Sequence, residues 1–319
     1  MSISRIIKDP ALYAIILIGR MLPDTIPADA FYLKLLYRHY LGKKLNLKNP
    51  VTYNEKMQWL KLYDRRPEYT MLVDKYEAKK YISKILGDEY VIPTLGVWDK
   101  YEEIDFDQLP DQFVLKCTHD SGGLVICTDK SHFDQTAAKK KINHALKRKY
   151  YKNTREWPYK NVKPRIIAET YMENRSSDCD EVTECKLNCK RENSLVDYKF
   201  YTFNGKCRFL YVSKGLEDHA TANISFLTKE WKFAPFWRSD YEPFKTLPAK
   251  PINFEKMLEL SEKLAKNIPF LRVDFYEING RIYFGEFTFF PCSGFVPFSP
   301  EEYDEKIGRL LKLSYSVRN

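Results

Sequence analysis

Residues 271–294 constrain this chain more than any other segment. Asn279-Gly280 near its centre is a hairpin signal, because both residues tolerate the positive φ of a tight turn. The flanks are rich in aromatic and β-branched residues, as strands should be. Into those apolar runs the sequence sets Arg272, Asp274, Glu286 and Thr288. Buried charges persist only when paired, hydrogen-bonded or bound to a metal. Strand alternation puts Arg272 and Asp274 on one face, and Glu286 and Thr288 on one face of the return strand. A two-residue loop would pair Asp274 with Gly285 and send Glu286 to the far side. A three-residue loop, at 278–280 or 279–281, brings all four together. The sequence therefore predicts an odd-length or bulged turn, the geometry in which two carboxylates share a cation. The bland alternative is an edge hairpin with solvated acids.

At 319 residues the chain can bury one or two cores, and a 44% hydrophobic content with 15% aromatics excludes disorder. Its excess of 52 Lys and Arg over 43 Asp and Glu, a net +9, suits polyanionic ligands such as nucleotides, sugar nucleotides or acidic polysaccharide. No basic run with interleaved stacking aromatics argues for nucleic acid. Seven scattered cysteines read as reduced thiols in a cytoplasm. The apolar run 11–18 is too short to span a bilayer, which takes about 20 residues. It reads as a buried helix or oligomer contact. The sharper alternative is docking at the inner face of a membrane, aided by Arg5, Lys8 and Arg20.

Residues 28–65 read as helical, with Thr52 and Glu55 at capping-box spacing. This stretch reads as an ordinary helix with Met57 and Leu60 inward; the sharper alternative is that Lys56, Trp59 and Lys61 face a substrate. A second helix starts at Asp74 and stops at Gly87. Residues 113–116 form a buried-type strand ending in Lys116, and 124–127 a second strand. Between them Ser121, Gly122 and Gly123 make a polar loop whose amides can approach phosphate oxygens, with Lys116 adding charge. The order of a Walker loop is absent, and a plain hairpin is the alternative. His119 and Asp120 read as loop-tip residues that order the turn. Residues 137–151 form a basic helix and 164–173 a strand ending in acids. Cys179, Cys185 and Cys189 lie in a polar insertion, at spacings that match no common zinc pattern. Asn204-Gly205 turns a second hairpin, in which Asp197 and Lys199 share a face suited to ribose hydroxyls and a phosphate. The aromatic stretch 221–251, with Trp231, Phe236, Trp237 and Tyr241, would stack on sugars or fill a core. Residues 254–267 and 301–313 have helical periodicity.

The hairpin, with Arg-Val-Asp-Phe at 272–275, Glu286-x-Thr288 and Pro-Cys-Ser-Gly at 291–294, resembles the metal-binding end of the ATP-grasp fold of D-alanine–D-alanine ligases. With Asn54-Glu-Lys, Asp74-Lys75, 113–117, Asp197-Tyr-Lys-Phe and Phe203-Asn-Gly-Lys, the chain most resembles the TupA-like branch, encoded with surface-polysaccharide and teichuronopeptide genes. That implies an α/β (α+β) fold: an N-terminal helical or α/β region over 1–98, a small antiparallel grasp subdomain from 99–170, and a hinge, insertion and C-terminal metal-binding subdomain over 171–319. By the resemblance, Lys75 and Lys116 reach nucleotide phosphates. Glu169 reads the adenine amino group, with backbone contacts from Tyr171 and Met172. Asp197 and Lys199 hold ribose and phosphate. Asp274 and Glu286 hold Mg²⁺, with Thr288 standing where the family has Asn. Arg272 stabilises the reacting centre, and the Gly294 loop presents amides to the substrate carboxylate.

The implied reaction uses ATP and Mg²⁺ to make an acyl phosphate, which an amine displaces to give an amide. Substrates would be a uronic acid of a surface glycan and an amine or amino acid. The alternatives are a glycosyltransferase acting on the same polymer and a non-catalytic nucleotide- or glycan-binding protein.

Overall fold

The computed structural model describes residues 9–120, 122–174, 195–214, 223–238 and 240–313. Ser121, Arg5, Lys8 and the three cysteines of the insertion lie outside them. The chain forms two compact units. One comprises 1–71, 149–162 and 290–319, the other 72–148 and 163–289.

The first unit is helical. Helices Pro10–Met21 and Ile26–Leu41 are followed by Tyr53–Tyr63, with Glu302–Leu310 later in the chain. The expected single helical region 28–65 is thus two helices. Gly42, at φ 69°, ends the first by returning its amide to the Arg38 carbonyl, a left-handed cap that suits glycine. The second opens with the full capping box, Thr52 and Glu55 each binding the other's backbone. Tyr32, Leu33, Leu36, Leu62 and Phe295 share one core. Inside this unit Asp29, fully buried, pairs with Arg65 at 2.7 Å and Arg155 at 2.8 Å and accepts from the Tyr151 hydroxyl at 2.6 Å. Leu17, Ile18 and Met21 on the first helix are exposed. No helix among the described residues is long and apolar enough to cross a membrane.

The second unit is built on two antiparallel sheets. Strands β1 (Thr94–Trp98), β2 (Phe113–Cys117), β3 (Leu124–Cys127) and β4 (Ile166–Thr170) are ordered β1-β4-β2-β3. Phe113, Leu115, Cys117, Ile166 and Ala168 bury one face of this sheet together with Ile142 and Ala145 of helix Gln135–Leu146. Strands β5 (Val196–Phe203), β6 (Lys206–Lys214), β7 (Asn223–Leu227), β8 (Phe270–Ile278) and β9 (Arg281–Thr288) form a second sheet, ordered β7-β6-β5-β8-β9. Phe200, Val273 and Phe275 on one of its faces are fully buried, and Phe254 of helix Phe254–Leu264 packs on Phe200.

The β8–β9 turn corrects the expectation of an odd-length loop. Ile278 pairs with Arg281, so the loop is the two-residue Asn279-Gly280, with φ of 52° and 73°, as a mirror-image hairpin turn requires. The extra residue lies in the strand instead. Phe275 faces Phe284 but Val273 faces Phe287, so Gly285 and Glu286 together oppose Asp274. This is a β-bulge. A side chain on Gly285 would come within 3.2 Å of the Asp274 carbonyl and the Tyr276 ring, so glycine permits the close approach. Past the bulge Arg272 pairs with Thr288, and Arg272, Asp274, Glu286 and Thr288 share one face.

Candidate functional site

One face of the five-stranded sheet gathers the charges. Register places Lys199 opposite Asp274, Asp197 opposite Tyr276 and Tyr201 opposite Arg272, and pairs Lys199 with Tyr211 of β6. Arg272 donates to both oxygens of Asp274, from Nε at 2.7 Å and Nη2 at 2.6 Å, and its Nη2 also reaches Glu286 at 2.9 Å. Lys199 Nζ sits 2.9 Å from Asp274 and 3.1 Å from Asp197. The Thr288 hydroxyl donates to Glu286 at 3.3 Å.

Asp274 is fully buried while the Glu286 side chain is 48% exposed. Burial alone would raise the Asp274 carboxyl, but Arg272 and Lys199 outweigh it and hold it below the usual range. Lys199 and Arg272 are likewise held above their ordinary values, because adjacent carboxylates overcome burial. Asp197 goes the other way: burial pushes it up, and the nearby Asp274 charge adds to that push against Lys199.

The four-stranded sheet contributes a second set. Glu169, on the central strand β4, binds Lys116 of β2 at 2.6 Å and Lys79 of helix Lys75–Leu86 at 2.5 Å. Burial would raise this carboxyl, yet the two ammonium groups bring it down to about 2. Lys116 is raised: burial opposes, but Glu169 prevails, with Glu286 and Asp197 adding their charge. Glu286 and Asp197 of the other sheet thus act on Lys116 through their charge, while its direct partner is Glu169.

The residues around Lys116 hold its loop. Asp120 accepts from the Gly123 amide at 3.2 Å, and Lys75 Nζ donates to the Asp120 carbonyl at 2.5 Å. Gly122 has φ 111°, and a side chain on Gly123 would meet Ala145, Asp120 and Cys117 within 2.9 Å. Asp120 does order the turn, but it and His119 are buried rather than at a loop tip. Asp74 caps its helix and pairs with Arg165 at 2.7 Å. Tyr171 and Met172 follow β4, half-buried.

Gly294 lies in the helical unit. Cys292, Ser293 and Gly294 all have positive φ, of 49°, 55° and 62°, and a side chain on Gly294 would come within 2.6 Å of Met57 and Gln58. Gln58 Nε2 donates to the carbonyls of Ser293 and Gly294, and Lys61 Nζ to that of Ser293 at 2.7 Å. Lys61, for which the sequence offered a substrate-facing alternative, is fully buried. The Ser293 hydroxyl donates to Glu156 at 2.5 Å. Burial pushes Lys61 down to about 7 and pushes Glu156 up.

Lys79 and Glu156 are the groups that sequence reasoning missed. Lys79 carried a signal: it stands three residues before the buried Ile82 and next to the buried Ala78, on the apolar side of its helix. The carboxylates of Asp274 and Glu286 and the hydroxyl of Thr288 are the hard oxygen donors that suit Mg²⁺, and Arg272 already brings the two carboxylates onto one group. Among the described residues no cluster of three or more His, Cys, Asp or Glu stands ready for a metal.

Residues 55–312 match the family model described as TupA-like ATPgrasp. Among solved structures the chain is similar to a D-alanine–D-alanine ligase from Bacillus anthracis, at 16% identity over 68% of this chain and 57% of that one, with a TM-score of 0.36. It is also similar to a RimK domain protein ATP-grasp from Sphaerobacter thermophilus, at 13% identity over 76% and 69%, with a TM-score of 0.38. A third is the ATP-grasp ligase PsnB complexed with a phosphomimetic variant of its minimal precursor, Mg and ADP, at 7% identity over 80% and 64%, with a TM-score of 0.39. The chain spans less than two-thirds of the length of the Bacillus anthracis ligase. No curated protein matches it.

Proposed function

This chain belongs to the TupA-like ATP-grasp family, and from that premise we propose that it is an ATP-dependent carboxylate–amine ligase. It would activate a carboxylate as an acyl phosphate and pass the acyl group to an amine, with a uronic acid of a surface glycan as the acid. One observation carries the reading: Lys116, ion-paired to Glu169 on one sheet, feels the charges of Asp197 and Glu286 on the other, where these two acids pair with Lys199 and Arg272 around Asp274. Phosphoryl transfer needs this kind of site, which positions reactants and balances charge rather than supplying a nucleophile.

In this reading Lys116 and Lys199 neutralise phosphate oxygens, and Arg272 faces the transferring phosphoryl group. Asp274, Glu286 and Thr288 would hold Mg²⁺, which when bound neutralises the phosphates. Asp197, whose carboxyl burial pushes up, would meet the ribose hydroxyls. Docking at a membrane through the helix carrying Leu17, Ile18 and Met21 belongs to the same reading.

Thermal shift and ADP release test it. Stabilisation by Mg-ATP, with ADP release that requires both a uronic acid and an amine, is the expected result. Stabilisation by a uridine-linked sugar alone would move the chain to the glycosyltransferases, and nucleotide binding without turnover would make it a binding protein. Full ADP release by Lys116→Ala would remove the site assignment.

A further inference from the structure

Beside the charged face lies a cavity of about 530 Å³, built along the outer edge of β7 by residues that follow it. That size lies within the range of small-molecule pockets, roughly 300–1,000 Å³. Its backbone frame is set by hydrogen bonds to the edge strand. Ala234 N–H donates to the Phe226 carbonyl at 2.8 Å, Ile224 N–H to the Glu242 carbonyl at 3.0 Å, and Phe244 N–H to the Ser225 hydroxyl at 2.9 Å. The two arms of the segment thus grip the same strand, and the cavity needs no rearrangement to exist.

Its lining has a particular chemistry. Trp237 and Phe233 are 48% and 45% exposed, while Phe236 is packed underneath against Phe209 and Phe226, at 5.1 Å between ring centres in each case. Large rings held open to solvent over a layer of buried rings form a rigid platform. The one buried cation of the lining, Arg238, is forked to Asp240 at 2.9 and 2.5 Å. Its guanidinium carbon stands 5.9 Å from the centre of the Tyr211 ring, and the same ring has Arg272 at 6.0 Å and Lys199 at 5.8 Å. The cavity and the charged site are therefore joined through one tyrosine.

We propose that this cavity is a saccharide subsite, which seats a pyranose ring of the glycan substrate beside the charged face. The inference rests on the ligase reading for the identity of the neighbouring site. A pyranose presents one face of C–H groups, which pack on exposed aromatic rings, and a rim of hydroxyls, which need donors and acceptors. Trp237 and Phe233 supply the first, and Arg238 with Glu242 the second. The guanidinium favours an acidic sugar over a neutral one, because a carboxylate on the ring can take the fork that Asp240 now occupies.

The test is binding of methyl glucuronoside, followed by saturation-transfer NMR on the full chain, with methyl glucoside as the neutral comparison. Wild type is expected to bind the glucuronoside at least fivefold tighter. Trp237→Ala should weaken binding tenfold or more, and Trp237→Phe should recover part of it. Binding unaffected by Trp237→Ala, or equal for the two sugars, overturns the proposal. Mg-ATP thermal shift of wild type separates the two readings. No stabilisation by Mg-ATP with glucuronoside binding that depends on Trp237 removes the ligase and keeps the subsite, and the converse result removes the subsite alone.

Discussion

In the five-stranded sheet Arg272 and Lys199 touch Asp274 directly, at 2.6 and 2.9 Å. In the helical unit Lys61 is linked to Glu156 through Ser293, whose carbonyl takes the ammonium and whose hydroxyl reaches the carboxyl. Both sets are buried, yet they titrate in opposite senses. In the sheet the acid Asp274 is lowered and the cations are raised, because contact attraction exceeds the cost of leaving water. Around Ser293 burial is the larger influence: the cation is lowered and the acid is raised, so both move toward their neutral forms. Burial does not decide the charge state of such a site. The balance of surrounding charges at their separations does: Asp274 has two cations in contact, whereas Asp197, 3.1 Å from Lys199 but beside the Asp274 charge, is raised like Glu156.

The largest effect should come from breaking the direct set. Arg272→Met leaves Asp274 buried with one cation fewer, and unfolding should lose about 3–5 kcal/mol, the scale of a severed buried pair. Denaturant titration measures it, and a loss under about 1 kcal/mol would place the strength of the sheet elsewhere. Glu286→Gln, on a half-exposed side chain, should separate activity from stability. ADP release is expected to drop by at least about a hundredfold, near 2.7 kcal/mol of barrier, while the unfolding midpoint barely moves.

The indirect set should respond more gently. Ser293→Ala takes one donor from Glu156 and should cost about 1–2 kcal/mol at neutral pH, read by thermal unfolding. The finest test is the pH profile. Because Lys61 is lowered to about 7 in the folded chain, the unfolded chain holds more protons between that value and the ordinary lysine range. Wild-type stability should therefore rise with pH across that window, and this contribution should be flat below it. In Lys61→Met that rise should vanish. Glu156 is raised, so its own contribution is present at low pH and fades as pH climbs through its folded value. A Lys61→Met profile parallel to wild type from pH 7 to 10 would place a charged, fully compensated lysine there and erase the contrast.

The direct set was largely legible in the sequence, because strand alternation and an Asn-Gly turn act over a few residues. Arg272, Asp274 and Glu286 needed only the parity of the hairpin, and the site of its one extra residue was the part that failed. The reason is physical: Asn279 and Gly280 suit the two-residue turn so well that the irregularity moved to Gly285, where a missing side chain lets the strands close. The indirect set was not legible. Lys61, Glu156 and Ser293 come from three distant stretches of chain, and no local period reports that a lysine in a capped helix turns inward. Lys79 falls between the two, placed by its helix period but paired with Glu169 by the tertiary fold alone.

The bulge at Gly285 and Glu286 works like a frameshift inside the hairpin. The outer half is read in the frame set by Asn279 and Gly280, the inner half in the frame set by Arg272 and Thr288. The tip of the ribbon is thereby uncoupled from its chemistry, and can be rebuilt or decorated while the acids keep their orientation, whereas deletion of one glycine in mid-strand would turn Glu286 to the opposite side.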